Sequence, residues 1–146
     1  MYLERLFLEL IFICSLIFLV FFYYKLFWEV VKLRRSNKIS LGNRKNLQLE
    51  RAIRAHSNFI EYVPLNLILS IILYFHNYLI FSCFSILFLI AGRIYHKKGI
   101  FNEKEKEENF KFRRLGMKLT IYSFYISIFG LIFYLGQTIY FFIQSQ

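Results

Sequence analysis

The stretch Glu50-Arg51-Ala52-Ile53-Arg54-Ala55-His56-Ser57-Asn58-Phe59-Ile60-Glu61-Tyr62-Val63-Pro64-Leu65 decides how the chain is read. It begins as a cationic segment and passes, with no turn signal, into an apolar run that lasts to residue 75. Polar and charged side chains therefore occupy the first turns of a membrane-spanning helix. At about 100° per residue, Arg51, Arg54, Asn58, Glu61 and Tyr62 share one arc of roughly 100°, and His56 points to the other side. Two arginines, an amide, a carboxylate and a phenol on one face at a membrane boundary have the makings of a binding site.

The rest of the composition supports a membrane setting. The chain is 58% hydrophobic with a single proline, far too apolar for an ordinary soluble domain. Its formal charge of +10 raises the question of nucleic acid. Seventeen of the 19 Lys and Arg residues, however, fall in windows 32–54 and 93–118, separated by nearly uncharged segments. That spacing describes loops and helix ends at an anionic leaflet, not a basic face on a soluble fold, so no nucleic-acid partner is expected. Cys14 and Cys83 each lie in an apolar segment without a neighbouring base or a CxxC partner, and read as small buried or lipid-facing residues.

Four helices follow from the pattern, at about 5–32, 47–75, 79–96 and 113–142, in one domain covering 1–146. Residues 6–24 are long enough to cross a hydrocarbon core and too long for a cleaved signal peptide, and no cleavage site follows, only Tyr23, Tyr24, Lys25 and Trp28, which suit an interfacial belt. Lys25 and Glu29 are one turn apart and are expected to pair. Gly42-Asn43 marks the turn in the first connection. Pro64 is expected to kink the second helix, as membrane helices tolerate. Ser82, Ser85, Leu89, Gly92 and His96 form one stripe. Gly116, Thr120, Ser123, Ser127, Gly130, Tyr134 and Gln137 form a second at 4-3-4-3-4-3 spacing. Small residues let helices approach closely in lipid, so both stripes should face other helices, within the subunit or between subunits. Residues 103–108 alternate acids and lysines, as in a solvated connection. The fold class is all-α, an integral membrane four-helix bundle. Both basic loops are expected to be cytoplasmic and both termini on the opposite side.

The loop-side helix ends gather Lys32, Arg34, Arg51, Arg54, Asn58, Glu61, Tyr62, Arg93, His96, Arg113 and Arg114. Topology alone explains the lysines of the second loop. It does not call for an acid and an amide beside Arg54. Such a group suits a small polyanion that also carries an ammonium: arginines take carboxylates, and Glu61 takes a cation or N–H groups. A ligand thiol in this field would ionise more easily, and an apolar co-substrate could arrive from the lipid. With no aspartate and no HExxH in the chain, no metal site is expected. Nor is there a GxGxxG or Walker-type loop for a nucleotide.

Arg54-x-x-x-Asn58-x-x-Glu61-Tyr62-x-Pro64-Leu65 resembles the second-helix signature of the MAPEG family, the membrane-associated proteins in eicosanoid and glutathione metabolism. Val31-Lys32-Leu33-Arg34 looks like the family's basic end of helix one. Gly92-Arg93-x-x-His96-x-x-Gly99 resembles the end of helix three, and Arg113-Arg114-Leu115-Gly116-Met117 the start of helix four in the bacterial inner-membrane branch. The resemblance implies a homotrimer in a bacterial inner membrane, with glutathione as co-substrate between neighbouring subunits near the cytoplasmic face. It implies that Arg54, Asn58 and Glu61 hold glutathione, with Tyr62, Lys32, Arg34, Arg93 and His96 at further family positions. Arg113 or Arg114 would stabilise the thiolate. Ile100 stands where several glutathione-using members have a tyrosine, Ser57 replaces an arginine of one branch, and Lys32 stands for an arginine.

Three function classes are then in play. The first is a membrane-bound glutathione-dependent transferase or peroxidase acting on lipophilic electrophiles. The second is a non-catalytic lipid-binding or scaffold protein of the same fold, a type the family also contains. A small transporter comes third, since no charge lies near the bilayer midplane.

Overall fold

The structure is a computed structural model that describes residues 2–101 and 110–145. It consists of four helices: α1 (Tyr2–Asn37), α2 (Leu47–Phe75), α3 (Leu79–Phe101) and α4 (Lys111–Gln144). All four are long and apolar enough to cross a membrane, and the molecule is a four-helix membrane bundle. The least apolar of the four is α2, the helix that carries the polar face. Three helices exceed their sequence-expected limits. α1 runs on through Arg34 and Arg35, α3 continues five residues past His96, and α4 starts at Lys111. No glycine or proline stands at those ends to stop them, apart from Gly99, which α3 absorbs. The expected solvated connection at residues 103–108 lies outside the described residues.

The α1–α2 connection is held by side chains. Gly42 takes φ 67°, the left-handed conformation that glycine adopts without penalty. Arg34 Nη1 donates to the carbonyls of Ser40 (3.0 Å) and Gly42 (3.1 Å). Asn46 caps α2 by accepting from the Leu49 amide at 3.0 Å. At the other end of α2, Asn77 turns left-handed (φ 66°), and the Tyr78 amide donates back to the Leu73 carbonyl at 2.9 Å. That closes the link to α3 in three residues. Pro64 sits within an α2 that stays helical from end to end.

Helices α2 and α3 form the middle of the bundle. α4 packs along α3, while α1 leans on α2 and α3 and, among the described residues, does not touch α4. Both small-residue stripes meet inside one subunit. A Cβ on Gly116 would stand 2.7 Å from the Gly92 carbonyl and 2.5 Å from the His96 amide nitrogen, so α3 and α4 touch backbone to backbone here. Deeper in, Asn66, Ser70, Ser85, Ser123 and Ser127 are all fully buried and mutually hydrogen-bonded. Asn66 Nδ2 donates to Ser123 Oγ at 2.8 Å, Ser85 Oγ donates to Asn66 Oδ1 at 3.1 Å, and the Ser85 and Ser127 hydroxyls are 2.6 Å apart. Across α1 and α3, Lys97 donates to Glu29 at 2.7 Å. The expected Lys25–Glu29 pair is thus replaced by a bridge between helices, because the extra turns of α3 bring Lys97 alongside α1.

Candidate functional site

The start of α2, the end of α3 and the start of α4 lie at the same end of the bundle, and a cavity of about 350 Å³ opens among them. That size is within the ~300–1,000 Å³ common for small-molecule sites. Its wall is Arg54, Ser57, Asn58, Glu61, His96, Ile100 and Arg113. A second space of similar volume continues past Arg54, Ile100 and Arg113 to Leu47, Glu50, Arg51 and Phe110. One lobe therefore offers an acid, an amide and an imidazole, and the other is bordered by three arginines.

Helix geometry puts these groups there. Residues 54, 58 and 61 recur at four and three, so they share the face of α2 turned to the cavity. His56, on the other side, packs at a tilt against Tyr23 of α1 with ring centroids 5.4 Å apart. Arg54 is an exposed side chain whose Nε donates to Glu50 one turn earlier, at 3.4 Å. Glu61 is exposed and makes no ion pair among the described residues, although it lies close enough to buried Arg93 for the two charges to attract. At the start of α4, Phe112 stacks on Tyr95 (6.4 Å, 7° between planes) and lies under the Lys98 ammonium at 4.8 Å. This clamps the first turn of α4 to α3. Arg113 then faces the cavity, its guanidinium 5.3 Å from the Phe110 ring.

The two candidate thiolate stabilisers part company here. Arg113 joins the cavity wall, whereas Arg114 is exposed on a separate face with Lys111, Leu115 and Lys118. The buried seam of α4 explains the difference. Counting back from Gly116, Thr120 and Ser123 at about 100° per residue, position 113 lies roughly 55° from the seam's centre and position 114 roughly 155° away.

Other sequence candidates sit elsewhere. Arg34 is engaged with the α1–α2 connection. Lys32 lines a separate space with Glu29, Leu33, Gln48, Arg51 and Phe101. Arg93 is inside the protein, 3% exposed. Its Nη1 donates to the Asn58 main-chain oxygen at 3.1 Å and, closely, to the Asn58 side-chain oxygen. Its Nη2 contacts Thr120 Oγ1, and the guanidinium lies 5.3 Å from the Tyr62 ring centroid. Arg93 and Tyr62 thus stand behind the cavity wall. Ile100 and Ser57, two departures from the resembled pattern, are both wall residues.

The sequence pattern of the MAPEG family matches residues 12–143, a span that takes in part or all of every helix. The chain belongs to the MAPEG family. Two proteins named inner membrane protein YecN, from Escherichia coli K12 and from Escherichia coli O6:H1, are each 29% identical to this chain over 99 residues. The match covers 66% of this chain and 70% of theirs. No solved structure matches. MAPEG membership makes this a membrane protein of the glutathione and eicosanoid family, with its polar cavity at the helix ends.

Proposed function

We propose that the protein is a glutathione-dependent transferase or peroxidase that acts on lipophilic electrophiles at the cytoplasmic face of a bacterial inner membrane. The observation that carries this reading is the convergence of Arg54, Asn58, Glu61, His96 and Arg113 on one cavity. Glutathione has two carboxylates, an ammonium, two amides and a thiol. Arg54 and Arg51 suit a carboxylate, Glu61 suits the ammonium, and Asn58 suits an amide or carboxylate oxygen. Arg113 stabilises the thiolate, because a fixed guanidinium lowers the pKa of a neighbouring thiol from about 8.5. That thiolate attacks the electrophilic carbon of a substrate dissolved in the membrane. The S–C bond forms as the leaving group departs with its electron pair. The YecN relatives, described as inner membrane proteins, support the location.

The test is equilibrium binding of glutathione to the purified protein in detergent, with conjugation of a hydrophobic chloronitroarene measured alongside. Micromolar-to-millimolar binding with turnover is the expected result. Absence of both contradicts the reading. A second reading, a non-catalytic lipid-binding or scaffold protein, draws on one observation: Ile100, an aliphatic side chain, occupies the wall where several glutathione-using relatives have a tyrosine. Binding without turnover favours it.

A further inference from the structure

Among the described residues, Arg93 is the one charged side chain that is buried, and its hydrogen bonds constrain a neighbour that does line the cavity. A guanidinium has donors only. The atom of the Asn58 amide that faces Arg93 Nη1 must therefore be its oxygen, whichever way the amide is drawn. The same Nη1 also holds the Asn58 main-chain oxygen at 3.1 Å. Nη2 is fixed from α4, by Thr120 Oγ1 and by Met117 Sδ at 3.9 Å, and the Tyr62 ring supports the guanidinium. With Oδ1 committed, Asn58 has its two Nδ2 hydrogens left for the cavity.

We infer that Arg93 is a positioning residue that fixes Asn58 as a hydrogen-bond donor, so that the ligand group at this point in the cavity is a carbonyl or carboxylate oxygen and not an amine. The inference rests on the glutathione reading and narrows it. Asn58 selects for an acceptor, Glu61, three residues on, selects for a cation, and the distance between them sets which part of the ligand each receives. Arg93 itself touches neither ligand nor sulfur.

The experiment uses the full chain in detergent and glutathione as the probe, and reads both the dissociation constant and the ultraviolet thiolate signal against pH. In Asn58→Asp, the new carboxylate still accepts from Arg93 but has no N–H to offer. The apparent melting temperature should hold, while glutathione binds about tenfold or more weakly. Ser57→Asp adds the same charge to the same wall without touching that amide, and should weaken binding less. In Arg93→Lys, one ammonium cannot span both Asn58 and Thr120. Affinity should fall several-fold, with the thiolate midpoint of bound glutathione unmoved. If Arg93→Lys does not fold, the comparison of Asn58→Asp with Ser57→Asp decides. Equal or tighter binding by Asn58→Asp overturns the inference, as do equal losses in the two aspartate variants. An Arg93→Lys protein with unchanged affinity or a shifted midpoint overturns it too. If wild type binds no glutathione at all, the functional reading falls and this one with it. If wild type binds and the variants match it, only this one falls.

Discussion

Arg113 and Arg114 are adjacent and chemically identical, and their difference is purely one of helical phase. The sequence left them open because the start of α4 follows a charged loop with no cap signal; Phe110 at its N-cap makes no side-chain cap bond. The information was nonetheless present in the seam that begins at Gly116, since extending its phase one turn back selects position 113. Arg93 was legible as a family position but not as a buried one: nothing in the local sequence says that its guanidinium is taken up by Asn58 and Thr120. At this scale, Glu61→Gln should weaken glutathione binding about tenfold, the cost of replacing a charge-assisted hydrogen bond with a neutral one. A titration that leaves affinity unchanged would remove Glu61 from the site.

Between elements, the contact of α3 with α4 fixes the site, because it sets both the burial of Arg93 and the phase of Arg113. Both stripes of small residues were readable, since glycine and serine at three- and four-residue spacing have few other uses in a membrane helix. Whether they pointed within the subunit or outward was not readable, because pairing is decided by which helix ends the loops bring together. Asn66 and Ser70 escaped notice for a related reason: on α2 they are a single pair of polar residues one turn apart, and the partners on α3 and α4 extend them into a network. Gly116→Val should lower stability by about 3 kcal/mol or more, because its Cβ meets backbone that cannot move aside. Gly136→Ala, with nothing within 4 Å, should be neutral or slightly stabilising. Thermal unfolding in detergent compares them directly. Asn66→Leu should cost about 1–2 kcal/mol by removing the hydrogen bonds that Asn66 makes to Ser123 and Ser85, and the same melting experiment checks it.

For the whole molecule, the broad architecture came from charge and length: four long apolar segments and two basic windows leave little choice of fold. The helix ends were less legible. α1 and α3 extend past the apolar core as continuous helix, and the extension of α3 makes the Glu29–Lys97 bridge and brings Ile100 to the cavity wall. α1 and α4 do not meet among the described residues, and both carry exposed aromatic and aliphatic faces, including Phe21, Tyr125 and Phe129. Those faces need lipid or another copy to cover them. A three-chain mass is expected in detergent, read by light scattering with the detergent contribution subtracted; a monomeric mass would confine the site to one subunit. A cysteine placed at Ser40 should react with an impermeant maleimide only from the cytoplasmic side of intact vesicles. The central claim, that Arg113 governs a glutathione thiolate, is met most directly by the ultraviolet thiolate band of bound glutathione titrated from acid to alkaline pH. Wild type and Arg114→Ala should show a midpoint well below the ~8.5 of a free thiol, and Arg113→Ala should return it toward that value. A depressed midpoint that survives Arg113→Ala, or one that is lost only in Arg114→Ala, would contradict the account.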